Sequence, residues 1–367
     1  MSGTSLLDSG SQSAIDYHAP AWLRGRHLQT IWPSLLAPKP LPAYRRERWD
    51  TPDGDFIDLD WALLDQDNSA GGTAGDTAGG TAHNTARITA QSVPRPLLAL
   101  FHGLEGNSGS HYSRTLMAAA NDRGCDGVVI HFRGCSGELN RMPRAYHSGD
   151  SDEADWVLRR ISARRSQDGS AGLLLAAGIS LGGNVLLKWL GERGNAADFV
   201  AAAAAVSPPQ DLHAGALRLS RGFNRLYALN FLVTLRRKSV AMLERYPGLF
   251  DAKQVAASRD FFEFDELVTA PLHGFKSAMD YWQRSSCRQF LGGITVPTLI
   301  INALNDPFLP VQALARPAEV SSAVSLHYPR EGGHVGFLQG APPGRLNWLA
   351  EQLFAHFNAA TGGAIAA

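Results

Sequence analysis

The sequence predicts an α/β fold: a mostly parallel central sheet with helices on both faces and a helical cap inserted late in the chain. Three observations predict it. Short apolar runs alternate with helix-patterned segments over residues 97–206 and again over 298–357. Between those blocks, over 210–292, the alternation stops and the chain turns helix-prone, aromatic and basic. The junction of one apolar run with the helix after it carries the spacing Gly178-x-Ser180-x-Gly182.

Taken in order, residues 1–16 are small and polar and read as a disordered lead. Residues 17–42 hold five prolines and two tryptophans, which argues for an irregular segment held against a domain surface. Two strand-like stretches follow over 45–64, with the turn signal Asp53-Gly54 between them. Residues 68–91 are a Gly/Ala/Thr tract with almost nothing to bury, expected as a flexible loop inserted between strands. Strands are expected at 97–101 (LLALF), 127–132 (GVVIHF), 172–177 (GLLLAA) and 199–206, the last stopped by Pro208-Pro209. Helices are expected between them at 113–123, 152–165 and 184–190; the second begins with acids and ends with arginines, as the helix dipole favours. After the helical stretch come strands at 298–303 and 324–328 and a terminal helix over 345–357. The expected organisation is therefore a core of 17–209 and 293–360, interrupted by a helical cap of 210–292.

Composition narrows the function classes. The 367 residues are 44% hydrophobic, enough for a sizeable core, and 34 basic residues balance 34 acidic ones, so nothing global points to nucleic acid. Cys125, Cys135 and Cys287 are odd in number and far apart, which makes neither a disulfide framework nor a metal pair and suits a reducing cytoplasm. The N-terminal residues lack a basic start and apolar core, so no signal peptide is expected. No run of about 18 apolar residues suggests a spanning helix.

The chemistry-bearing signal is Ser180. A G-x-S-x-G between a strand and a helix is a nucleophile elbow: the turn lifts the hydroxyl off the sheet edge and aims the Leu181 backbone N–H at a developing oxyanion. The bland alternative is a Gly-rich turn with Ser180 as a helix cap. His102-Gly103-Leu104 directly follows an earlier strand, where this fold draws its second oxyanion donor, expected to be the Leu104 N–H. His102 could also be a base or a metal ligand, but no carboxylate cluster accompanies it, and a packed, hydrogen-bonded imidazole is simpler. A serine nucleophile needs a histidine base and an orienting acid, in the chain order Ser, Asp/Glu, His. Asp306 lies past the carboxyl end of the strand at 298–303, and His334 sits in the Gly-rich loop EGGHVGF. Asp211 and Glu331 compete as acids; Glu331 lies close to His334 on the same short loop.

The segments WLRGRHLQTIWP, FHGLEGNSGSHY, HFRGCSGELNRMPRAYHSGD, GISLGGNVLLKWL, FDELVTAPLHGF, LINALNDPFLP and EGGHVGF together resemble the YheT-like α/β hydrolases, relatives of eukaryotic α/β-hydrolase-domain lipid esterases. They span residues 22–337. The resemblance implies the α/β-hydrolase fold, carboxylic-ester hydrolysis and the triad Ser180, Asp306 and His334; the serine-hydrolase cycle such a triad runs requires no metal or organic cofactor. The tract at 68–91 departs from the family pattern as an insertion.

The expected partner is a small-molecule ester, short- to medium-chain or lipid-like. Residues 210–245 carry seven basic residues against two acidic ones around the apolar run LYALNFLVTL. This reads first as a lid with a solvated basic face; the alternative is an acyl pocket whose basic rim touches lipid surfaces. The same triad could serve a thioesterase or acyltransferase, and the same fold a non-catalytic binding protein.

Overall fold

Local sequence pattern accounts for most of the elements in the computed structural model, which describes residues 16–64, 94–169 and 171–365. The tract at 68–91 and all but the last residue of the lead at 1–16 lie outside the described residues. The chain begins with helix α1 (Arg26–Leu35) and the antiparallel pair β1 (Arg45–Asp50) and β2 (Phe56–Ala62). Then β3 (Leu97–Phe101), α2 (His111–Asp122), β4 (Asp126–Ile130), α3 (Ser151–Gln167), β5 (Leu174–Ile179), α4 (Leu181–Arg193) and β6 (Ala202–Val206) alternate. Helices α5 (Leu212–Leu219), α6 (Asn224–Arg245), α7 (Ala252–Ala257), α8 (Phe261–Phe264), α9 (Ala270–Leu272) and α10 (Ala278–Ser285) intervene before the sheet resumes. It closes with β7 (Thr298–Ile301), β8 (Val324–His327) and helix α11 (Asn347–Ala360).

The eight strands make one sheet in the order β1-β2-β4-β3-β5-β6-β7-β8. Pairing is antiparallel at β1/β2 and β2/β4 and parallel from β4 to β8. β3, β5 and β6 are buried along their whole length, because helices cover both faces of the parallel region. On one face Val157, Leu158 and Ile161 of α3 pack with Leu186 and Trp189 of α4. On the other, Leu116 and Met117 of α2 pack with Trp348, Leu353 and Phe357 of α11. α4 is buried from Leu181 to Leu190, so its position, and that of the turn before it, is fixed on all sides. Among the described residues, no helix is long and apolar enough to cross a membrane.

The expectation of an irregular segment over 17–42 is corrected by α1. Pro33 lies inside that helix, where it removes the N–H that would bond the Gln29 carbonyl. Tertiary contacts hold the helix instead. Trp22 and Trp32 donate their indole N–H groups to the carbonyls of Gly340 and Pro343, both at 2.9 Å. Tyr17 donates to the Leu338 carbonyl at 2.7 Å, so the N-terminal segment is strapped along the C-terminal loops.

Candidate active site

The turn between β5 and α4 is set by steric need. Ser180 has φ 51° and ψ −119°, a conformation in which a side chain is rarely tolerated. It is held by its own N–H, which donates to the Val206 carbonyl at 2.8 Å, and by the glycines around it. A Cβ on Gly178 would come within 2.5 Å of the Gly182 carbonyl oxygen, and one on Gly182 would strike the backbone at Phe101 and His102. Ser180 occupies the N-cap position of α4, yet its hydroxyl makes no capping bond. The Oγ lies 2.9 Å from Nε2 of His334 instead.

The other two residues of the expected set are brought together at the carboxyl ends of β7 and β8. Nδ1 of His334 is 2.8 Å from Oδ2 of Asp306. An ionised carboxylate only accepts, so Nδ1 carries the proton and Nε2 is left as the acceptor facing the serine hydroxyl. Asp306 is 4% exposed, and its second oxygen accepts the Phe308 N–H at 2.7 Å, which fixes the carboxylate plane. The Phe308 ring stacks on the imidazole with centroids 4.1 Å apart. The competing acids are engaged elsewhere: Asp211 caps α5 by accepting the Ala214 N–H at 2.9 Å, and Glu331 accepts from the Gln29 side chain at 3.3 Å.

The two backbone donors expected to face an oxyanion lie on either side of Ser180. A Cβ on Gly103 would sit 3.3 Å from that of Ser180, so the loop after β3 rides directly on the elbow. Among the described residues, neither the Leu104 nor the Leu181 N–H donates to a protein acceptor. His102 is fully buried: its Nδ1–H donates to the Gly103 carbonyl at 2.7 Å and its Nε2 accepts the Phe132 N–H at 3.1 Å. Burial first, then His131, pushes its pKa down to about 3, so it is a neutral strut beneath the loop. No group of three or more His, Cys, Asp or Glu side chains among the described residues could hold a metal ion.

Several supporting residues carried no readable signal in the sequence. Gln29 and Thr30 of α1 hold the His334 loop: Gln29 Oε1 accepts the N–H groups of Gly332 (3.0 Å) and the Asn305 amide (2.8 Å), and Thr30 Oγ1 accepts the His334 N–H at 2.9 Å. The loop needs such support, because Val335 and Phe337 have φ of 59° and 44°. Val335 is further clamped by Ser207 Oγ at its N–H and by His111 Nε2 at its carbonyl, both at 3.2 Å. Glu105, just after Leu104, pairs with Lys238 of α6 at 2.8 Å and accepts the Tyr146 hydroxyl at 2.8 Å. Each of these contacts joins residues far apart in sequence, which no local pattern reports.

A cavity of about 190 Å³ opens over the serine and histidine. Leu104, Ser180, Leu181 and His334 form its floor; Phe231, Leu235 and Met242 of α6, Val268, Trp282 and Phe308 line its sides. The helices between β6 and β7 therefore supply most of an apolar wall above the sheet edge.

Comparison with known proteins places the fold and the family. The family model described as the alpha/beta hydrolase fold matches residues 96–341. The putative esterase YheT of Escherichia coli K12 is 37% identical over 329 residues, covering 89% of this chain and 88% of that one. Phospholipase ABHD3 of Mus musculus is 29% identical over 93% of this chain and 77% of its own length. Among solved structures, the esterase Pf2001 of Pyrococcus furiosus superimposes with a TM-score of 0.51 at 14% identity, covering 89% of this chain and 98% of that one, a likeness of fold.

Proposed function

Because the chain belongs to the YheT-like branch of the α/β hydrolases and is an esterase/lipase-type enzyme, we propose that it cleaves carboxylic esters through Ser180, His334 and Asp306 by way of an acyl-enzyme. The observation that carries this reading is the unbroken chain from Ser180 Oγ to His334 Nε2 (2.9 Å) and from His334 Nδ1 to Asp306 (2.8 Å) at a strained elbow.

In this mechanism His334 Nε2 takes the hydroxyl proton as Ser180 Oγ attacks the ester carbonyl carbon. Asp306 keeps the imidazole in the tautomer that leaves Nε2 free and stabilises the imidazolium. The carbonyl oxygen gathers negative charge, and the N–H groups of Leu104 and Leu181 receive it, aided by the N-terminal end of α4. Collapse of the tetrahedral adduct expels the alcohol, which takes its proton from Nε2. Water then enters, gives a proton to Nε2 and attacks the acyl carbon; a second collapse frees the carboxylic acid and returns the proton to Ser180.

The helical segment 210–292 acts as a cap in this reading, and its apolar inner wall favours a short- to medium-chain or lipid-like acyl group. The names phospholipase and monoacylglycerol lipase among the relatives support that substrate class. All three cysteines are free and buried, which supports a reducing, cytoplasmic setting.

The test is a panel of p-nitrophenyl and glycerol esters of graded chain length. The reading expects saturable turnover by the wild-type protein that disappears in Ser180→Ala. Turnover equal in both, or none with any ester, would remove it.

A further inference from the structure

The cap helix α6 has two unlike faces, and only the inner one is used by the site described above. Phe231, Leu235 and Met242 point into the cavity, whereas Leu226, Leu229 and Val233, one helical stripe apart, face outward. Leu226 is 57% and Val233 61% exposed. At the start of the helix Phe223 is also exposed, and α1 continues the surface: His27 packs on Phe223 with centroids 4.5 Å apart and meets the Tyr227 hydroxyl at 3.2 Å. Leu28 and Leu35, two turns apart on α1, are 48% and 69% exposed. Single exposed leucines need no explanation, but an exposed apolar stripe along α6, met through His27 by a second helix that also exposes leucines, does.

Charge selects the occupant. Around β1 three arginines are paired: Arg46 with Asp60, Arg48 with Asp58 and Arg164 of α3 with Glu47, while Arg45 is exposed without a carboxylate partner among the described residues. The apolar stripe is different. Of the seven basic residues in 210–245, only Lys238 pairs with an acidic side chain among the described residues, and it does so from the inner side. Arg221, Arg225 and Arg237 are exposed beside the stripe, and Arg24 and Arg26 are exposed on the α1 side. None of these five meets a carboxylate among the described residues. The chain as a whole carries no net charge, yet the segment 210–245 that holds the stripe carries seven basic residues against two acidic ones. The same field acts on His27, whose pKa is lowered by burial and then by Arg26 and Arg218.

We propose that the outer face of α6, together with the exposed side of α1, docks on an anionic lipid surface. The leucines, Val233 and Phe223 enter the headgroup–acyl boundary, and the flanking arginines contact anionic headgroups. A second copy of this chain fits less well, because a two-fold contact would set the arginine rim against itself. The docking helix is also the one that holds the site: Asn224 donates to the Pro307 carbonyl at 2.7 Å, Tyr227 packs on Phe308, and Lys238 reaches Glu105. An ester drawn from the lipid layer would thus meet a helix whose inner side already lines the cavity.

The test separates docking from catalysis. Full-length Ser180→Ala protein, which cannot consume the lipid, is floated with vesicles of phosphatidylcholine alone and with an equimolar mixture of phosphatidylcholine and phosphatidylserine. Binding is expected to the mixed vesicles, weakening with salt. Arg221→Glu/Arg225→Glu should lower the vesicle partition coefficient by about fivefold or more per charge, and Leu226→Ser/Val233→Ser should lower it too. With Ser180 restored, both variants should hydrolyse soluble p-nitrophenyl acetate at the wild-type rate. Equal, weak binding to both vesicle types overturns the proposal. So does wild-type binding by both variants, or a dimer in sedimentation that leaves vesicles untouched. Ester turnover is read separately, so wild-type protein that hydrolyses soluble esters while Ser180→Ala protein binds neither vesicle type removes this inference alone.

Discussion

Ser180 is constrained by its backbone before any chemistry begins. Its φ of 51° is maintained by glycines at 178 and 182 whose replacement would collide with main chain, and from that backbone the hydroxyl lies 2.9 Å from His334 Nε2. In the proposed mechanism the contribution of Asp306 is the tautomer it imposes on His334. Asp306→Asn preserves shape, yet its amide can donate to Nδ1 and favour the proton on Nε2. We expect kcat to fall by about 10⁴-fold with a much smaller change in KM. Steady-state kinetics on a soluble ester checks this, with circular dichroism confirming the fold. A loss confined to KM would contradict the assigned role.

Elements distant in sequence carry the rest of the geometry. α1 braces the histidine loop through Gln29 and Thr30, and the loop in turn holds Val335 at positive φ. Thr30→Val removes the acceptor for the His334 N–H while keeping the side chain's bulk. The unmet buried N–H costs roughly 1–3 kcal/mol, and kcat should drop severalfold with KM nearly constant. Thr30→Ser should restore it, and failure of that rescue would show that bulk rather than the hydroxyl matters. On the opposite side, Lys238 ties α6 to Glu105, one residue beyond Leu104, the proposed oxyanion donor. Both side chains are sheltered, so this pair is worth more than an open surface bridge. A double-mutant cycle on Glu105→Gln and Lys238→Met should give a coupling of about 0.5–3 kcal/mol in kcat/KM; strict additivity would mean the pair does not position the loop.

Across the whole molecule, buried histidines make acid the weak side of its stability. His102 and His147 are pushed down to about 3, and His111 to about 4, in each case by burial before any neighbouring charge. The unfolded chain therefore binds more protons than the folded one from about pH 6.5 down to those values. Stability is lost as pH falls through that window, by up to roughly 1.4 kcal/mol per pH unit for each group. Asp265, lifted to about 6 by burial, and the carboxyls Asp150 and Glu153, also raised by burial, act in the opposite sense; a fourth histidine, His273, pushed down to about 3, keeps the histidines in the majority. Tm should be highest near neutrality and decline from pH 6.5 to 5; a flat profile over that interval would contradict this reading.

What the sequence makes legible follows from the range of the interactions. The parallel strands are written locally: LLALF and LLAAGI can only be covered on both sides, and β3 and β5 are. The elbow is equally local, because its glycines clash within the turn and with the strand beside it. Chain order then points to Asp306 and His334 at strand ends. α1 was not legible, since Pro33 argues against a helix and the contacts that hold it come from residues 338–343. The Glu105–Lys238 pair spans 133 positions and depends on how the inserted helices fold back, which no periodicity encodes.

Whether Ser180 is an activated nucleophile can be read by intact-protein mass spectrometry after exposure to a fluorophosphonate. A single adduct is expected on Ser180 in the folded wild-type protein, abolished in Ser180→Ala and strongly slowed in His334→Ala. A folded wild-type protein that stays unlabelled, or an adduct formed equally well in Ser180→Ala, would contradict it.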